Sequence, residues 1–272
     1  MNQSQYLIDT HAHLECYKDK SAMDQVIKES IENGVKKIVN ASARVEDWNI
    51  YHNLAKEYPE NLSWLVGIHP EEATEASMDY LDGLCSYFSS DAKPVGIGEI
   101  GLDYHYFGGL SESETQEKIA IQKALLKRQL EFAQDMDCPI CIHARDAVMD
   151  TFDILKASGV DLNKVVFHCF SGNVEEIKIL NDAGCRASFT GIITYKNAQE
   201  MRDVMLQQGL EKIMFETDCP YLAPTPHRSK TNYPAYTKFI AQHASELFGI
   251  SFEEMAQIST QNAEDFYSIH DK

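Results

Sequence analysis

The chain of 272 residues sets 24 Lys and Arg against 42 Asp and Glu, a formal charge of −18 that argues against a protein coating nucleic acid by charge alone. Hydrophobic residues make up 44% and Gly and Pro number only 14 and 8, which places the chain among ordinary globular proteins and excludes disorder and collagen-like repeats. No apolar run is long enough to span a membrane, Met1 to Tyr6 lacks the parts of a signal peptide, and seven scattered cysteines (Cys16, Cys85, Cys138, Cys141, Cys169, Cys185, Cys219) read as the reduced thiols of a cytoplasmic protein.

Short apolar, β-branched runs alternate with longer amphipathic stretches. In chain order, a strand over 6–9 leads to a helix over 23–33, 37–41 to 47–57, 63–68 to 78–88, and 94–98 to 113–136. The second half continues with 139–142 leading to 147–158, 164–167 to 174–183, 186–190 to 199–209, and 212–216 to helices over 236–248 and 252–266. Gly83, Gly159, Gly184 and Gly209 fall at or near helix ends, where caps are expected. Eight strands alternating with helices, with no linker or internal repeat, give an α/β fold: a single-domain (β/α)8 TIM barrel over 1–272, with a doubly wound open sheet as the alternative.

Polar residues follow the apolar runs. Asp9-Thr10-His11-Ala12-His13 follows the first, Gly67-Ile68-His69-Pro70 the third, and Gly98-Glu99-Ile100-Gly101-Leu102-Asp103 the fourth. His143-Ala144-Arg145-Asp146 follows the fifth, His168-Cys169-Phe170-Ser171-Gly172 the sixth, and Glu216-Thr217-Asp218-Cys219-Pro220 the eighth. Barrel enzymes place their chemistry at this end of the strands. His11 and His13, two apart on an extended segment, point the same way and can bind one metal together, although such a pair alone also suits two hydrogen-bonded histidines. Glu99, His143, His168 and Asp218 from other strand ends complete a ligand set for two metals if one carboxylate bridges. Glu99, central in the barrel order, is the expected bridge. Two divalent cations less the charges of Glu99 and Asp218 leave about +2, enough to receive an anion, and Arg145, Arg228 and Lys230 add positive charge near the mouth.

Two other patterns carry less. Gly96-Ile97-Gly98-Glu99-Ile100-Gly101 spells G-x-G-x-x-G, but no helix follows it and Glu99 would face the pyrophosphate, so no organic cofactor is expected. Cys138-Pro139-Ile140-Cys141 has no second pair to complete a zinc site and reads as thiols packed about a strand.

Taken together, these six polar motifs, in order and spacing from residue 7 to about residue 266, resemble the TatD family of metal-dependent deoxyribonucleases. The resemblance implies a barrel of the amidohydrolase superfamily with a binuclear divalent-metal site on His11, His13, Glu99, His143, His168 and Asp218. It also implies hydrolysis of phosphodiester bonds in DNA, often from 3′ to 5′ on single strands, with DNA as the partner. Two departures stand out: Tyr104-His105-Tyr106-Phe107 lacks an Arg that family members carry, and Arg228-Ser229-Lys230-Thr231-Asn232-Tyr233-Pro234 keeps only part of the usual basic segment.

In such a site Asp218 is the expected general base, and Glu99 shares the catalytic role through the metals. His69 and Arg145 are candidates for holding phosphate oxygens, and Glu216, on the same strand face as Asp218, for orienting a ligand imidazole or forming an internal salt bridge. Tyr104, Tyr106 and Phe107 either stack on bases or pack the loop against the rim. The metals are magnesium, manganese or zinc: imidazoles favour the softer ions, the family's nucleases magnesium. The charge and the missing arginines keep open a deacylase or amidase, acting for instance on an ester of tRNA, and a non-enzymatic barrel that uses metals to rigidify a binding surface.

Overall fold

The computed structural model describes residues 6–17 and 19–270, so the expectation that residues 1–5 carry no targeting signal lies outside it. The chain runs β1 (Leu7–Ala12), α1 (Lys20–Glu32), β2 (Val35–Ala41), α2 (Val45–Glu57), β3 (Leu62–Val66), α3 (Ser77–Tyr80), α4 (Leu84–Phe88), β4 (Gly96–Asp103) and α5 (Glu112–Met136). It continues through β5 (Ile140–Arg145), α6 (Val148–Ser158), β6 (Val165–Phe167), α7 (Val174–Asp182), β7 (Arg186–Phe189), α8 (Gln199–Gln208), β8 (Met214–Phe215), α9 (Thr237–Phe248) and α10 (Phe252–Tyr267). The strands form one parallel sheet in sequential order, and a bridge from Ala12 to Cys219 brings the last back to the first. The result is a nearly closed (β/α)8 barrel, not an open doubly wound sheet.

The strands are buried on both faces, which is why they read as apolar runs. Outward residues such as Leu7, Ile38, Trp64, Ile97, Ile142 and Phe215 meet the helices. Inward residues Ile8, Val39, Leu65, Cys141, Val166 and Met214 fill the barrel, together with Phe266, Tyr267 and Ile269 from the end of α10. Lys37, at the start of β2, donates to the Ile269 carbonyl, so α10 closes the N-terminal end of the barrel. No helix among the described residues is long and apolar enough to cross a membrane.

Two strands run further than their apolar pattern. β1 continues past Asp9 to carry His11, and β4 continues past Gly98 to carry Glu99. In both, the register slips, between Asp9 and Ala12 against β2 and between Ile97 and Ile100 against β5. Such irregularities re-aim side chains at the polar positions where the hydrophobic signal stops. The glycines of β4 serve the same contact. A Cβ on Gly98 would lie 2.6 Å from that of Cys141, and one on Gly101 would lie 1.8 Å from the His143 carbonyl oxygen. They seat β4 against β5 instead of cradling a pyrophosphate.

The stretch expected as one helix over 78–88 is broken into α3, a 3-10 turn at Leu81–Gly83 and α4. Gly83 ends the 3-10 turn and caps the N-terminus of α4, so it lies at a helix end as expected, and its low helix propensity suits the break. Gly159 and Gly209 close α6 and α8.

Asp9 fastens the seam between β1 and β8. Its fully buried carboxyl group pairs with the Thr217 backbone N–H at 2.8 Å and the Thr217 hydroxyl at 2.5 Å. Burial pushes the Asp9 carboxyl up to about 8, against the opposing pull of Thr217. Because this lies above the unfolded value of 3.8, its stabilising effect is full in acid and is lost as pH rises through about 8. Asp9→Asn, neutral and of the same shape, should leave unfolding in urea within about 1 kcal/mol of the parent, while Asp9→Ala, which orphans the Thr217 groups, should cost about 2–4 kcal/mol. Equal losses in the two variants would contradict a neutral Asp9.

Candidate metal centre

Glu99 stands at the centre of the C-terminal end of the barrel, 3% exposed. One oxygen, Oε2, lies 3.3 Å from His11 Nε2 and 3.5 Å from His13 Nε2. The other, Oε1, lies 2.8 Å from His143 Nδ1, 2.7 Å from His168 Nε2 and 3.3 Å from His69 Nε2. Asp218 Oδ1 joins the first group, 3.4 Å from His13 Nε2 and 3.9 Å from His11 Nε2. A single carboxylate thus divides two sets of imidazoles between its two oxygens.

Hydrogen bonds from behind aim these side chains. Asp103 Oδ2 pairs with His143 Nε2 at 2.9 Å, and Glu216 Oε1 with His168 Nδ1 at 3.3 Å. Glu216 also accepts from the Cys169 N–H at 2.7 Å and the Ser188 hydroxyl at 2.5 Å. Cys169 and Asp218 both sit at positive φ, 41° and 53°, just past their strands. The Glu216 contact holds the first, and a bond from the Asp218 N–H to the His11 carbonyl at 3.0 Å holds the second. Strained backbone of this kind is retained where the surroundings over-determine it.

Burial opposes ionisation throughout the cluster, yet charge pairing overrides it at most positions. Glu99 is held well below the usual carboxylate value by His168, His69 and His11 despite burial, and Asp218 is lowered by His13, again against burial. His13 is raised to about 9: burial would lower it, but the Asp218 and Glu99 carboxylates prevail. His168 is raised well above its ordinary value against burial, chiefly by Glu99 and Glu216. His11 goes the other way, lowered by burial and by neighbouring His168.

The donors suit divalent cations. His11 Nε2 and His13 Nε2 face each other at 3.2 Å, as do His143 Nδ1 and His168 Nε2. Two ring nitrogens so placed repel as lone pairs unless a proton or a cation sits between them. The spacing is also that of neighbouring ligands around an ion with bonds of about 2.0–2.2 Å. His11, His13 and Glu99 group in this way, as do His69, Glu99 and His143.

The structure therefore brings His11, His13, Glu99, His143, His168 and Asp218 together, with Glu216 behind His168. Several details differ from the sequence expectations. Glu216 and Asp218 do not share a strand face: β8 ends at Phe215, and the tie from Thr217 to Asp9 turns Asp218 to His13 and leaves Glu216 on His168. His69, expected only to hold substrate, reaches Glu99 at ligand distance. The estimate of about +2 omitted Asp103 and Glu216, whose carboxylates balance the remaining charge of two divalent ions. The motif around Asp103 does not show its role, because its partner His143 lies 40 residues away.

Arg145 donates to the Tyr106 hydroxyl at 3.0 Å and lies 5.1 Å from that ring's centre. Arg228 and Lys230 are exposed on the loop after β8, with Arg228 4.2 Å from the centre of the Tyr195 ring. Of the three aromatics after β4, Tyr104 bonds Asp150 at 3.0 Å and stacks on Phe107, whereas Tyr106 is 62% exposed.

An eight-stranded barrel with imidazoles and carboxylates gathered at its C-terminal rim has the architecture of a metal-dependent hydrolase. Residues 8–268 match the family described as TatD related DNase. The chain is 33% identical over 264 residues to the uncharacterized metal-dependent hydrolase YabD of Bacillus subtilis, covering 97% of this chain and 100% of YabD. It is 31% identical over 260 residues to the uncharacterized metal-dependent hydrolase YcfH of Escherichia coli, covering 94% of each. The crystal structure of YJJV, a TatD homolog from Escherichia coli, superposes with a TM-score of 0.84 at 26% identity over 96% of this chain and 98% of that one. The chain belongs to the TatD-related DNase family and is a metal-dependent hydrolase.

A cation must displace the proton that His13 holds up to about 9. Loading chelator-treated protein with Mn2+ at pH 7 should release protons, and the apparent affinity should rise with pH until about 9. Calorimetry in buffers of different ionisation enthalpy measures both; affinity independent of pH over that range would contradict the placement of His13.

Proposed function

We propose that the chain is a deoxyribonuclease that hydrolyses phosphodiester bonds in single-stranded DNA, working from 3′ to 5′ with two divalent cations. His11, His13 and Asp218 would hold one cation, His143 and His168 the other, and Glu99 both; magnesium, manganese and zinc all suit the mixed donor set. The observation that carries this reading is the division of the two Glu99 oxygens between separate imidazole sets. The choice of DNA is supported by the family's description and by an exposed tyrosine beside an arginine at the rim. Stacking of a base on Tyr106 requires a strand whose bases are free.

Such cations supply Lewis acidity toward a phosphoryl oxygen and water that ionises near neutral pH. The protein's own groups do the rest. Asp218, whose carboxyl stands 3.4 Å from His13, accepts the proton of the attacking water. Asp103 and Glu216 keep the His143 and His168 rings aimed at Glu99. Arg145, beside Tyr106, holds a phosphate oxygen while the ring receives the adjoining base, and His69 contributes a second donor at the rim. Arg228 and Lys230 extend the positive charge along the loop after β8.

A second reading, hydrolysis of a carboxylic ester or amide, is favoured by the charge of −18. The two separate in one assay of metal-loaded protein on end-labelled single-stranded DNA, blunt duplex and an aryl ester, with and without chelator. Chelator-sensitive cleavage of the single strand, faster than of the duplex, is expected; ester hydrolysis with intact DNA would assign the second reading. In the same assay, Asp218→Asn with saturating metal should lower kcat by about 10²–10⁴. Retention of more than about a tenth of the rate would assign the proton to another group.

A further inference from the structure

Each ligand imidazole needs its second nitrogen held if the first is to point at a cation. His143 and His168 have carboxylates for this, Asp103 and Glu216. His11 has none: its Nδ1 faces Cys141 Sγ at 3.4 Å. Cys141 belongs to the C-x-x-C pattern that the catalytic reading leaves unused. It lies two residues before His143 on β5 and so points into the barrel one layer below it. It is fully buried, and the close approach of Gly98 fixes its place. Tyr267, itself buried at the end of α10, packs in the same cluster inside the barrel.

We propose that Cys141 is a positioning residue for His11, so that the metal centre is supported from inside the barrel. The inference rests on the reading of His11 as a metal ligand. With Nε2 turned toward Glu99 and His13, the ring carries its proton on Nδ1, and the sulfur accepts that N–H. The close approach of Gly98 holds the Cys141 side chain in place, so that ring orientation is set from within the barrel. A thiol sulfur is a weaker acceptor than a carboxylate. The His11 side of the cluster is therefore the less firmly supported of the two, and its cation exchanges more readily than the one between His143 and His168.

The test is calorimetric titration of full-length, chelator-treated protein with Mn2+, alongside thermal unfolding. The parent should bind in two steps of unequal affinity. Cys141→Ala should weaken the looser step by about 10- to 100-fold and leave the tighter one unchanged. Cys141→Ser, which keeps an acceptor, should recover most of that loss. Cys141→Val, which fills the space without an acceptor, should weaken the same step as the alanine does, and it decides the matter if Cys141→Ala fails to fold. A parent that binds no Mn2+ overturns the metal reading itself. Unchanged binding in a folded Cys141→Ala, equal weakening of both steps, or a Cys141→Ser no better than the alanine overturns the positioning role alone.

Discussion

Everything at the C-terminal end of this barrel is arranged around one buried carboxylate. Glu99 cannot keep its charge away from water without compensation, and the structure surrounds it with His11, His13, His69, His143 and His168. The backbone yields to this demand. β4 runs beyond its apolar segment and slips register to present Glu99, its glycines let it lie against β5, and β1 is extended to bring His11 across. The Asp9 clasp to Thr217 then draws the end of β8 into the seam, which delivers Asp218 to the same place. Local irregularity and site geometry are thus one solution to one electrostatic problem.

Charge also shapes what can approach. With Asp103 and Glu216 counted, two divalent cations only neutralise the cluster, so attraction for an anion comes from the rim, not from a net positive floor. Arg145 is the cation placed beside the Asp103 and His143 pair, and it bears on the Asp103 carboxyl. Its contact with Tyr106 joins a guanidinium to a flat, exposed ring. A second tyrosine, Tyr221, is 64% exposed on the loop after β8, on the opposite side of the strand order from β4.

The barrel was legible because strands buried on both faces leave uninterrupted apolar runs, and the ligands because each closes such a run. Strand ends were not, since hydrophobicity stops at Asp9 and Gly98 while the ladder goes on. The helix over 78–88 breaks at the 3-10 turn Leu81–Gly83, where its amphipathic pattern contains a glycine. What the pattern hid altogether were pairings between distant residues: Asp9 with Thr217, Asp103 with His143, Cys141 with His11. None leaves a local signature, because each partner is an ordinary polar residue on its own strand. Tyr104 and Phe107 could not be told from Tyr106 for the same reason, since Asp150 decides between them.

The central claim is that Glu99 is shared between two cations. Anomalous diffraction from crystals of the zinc-loaded protein, recorded on both sides of the zinc absorption edge, tests it most directly. Two peaks are expected, one against Glu99 Oε2 among His11, His13 and Asp218, the other against Oε1 between His143 and His168. A single peak, or two peaks that leave either Glu99 oxygen without a metal, would contradict it.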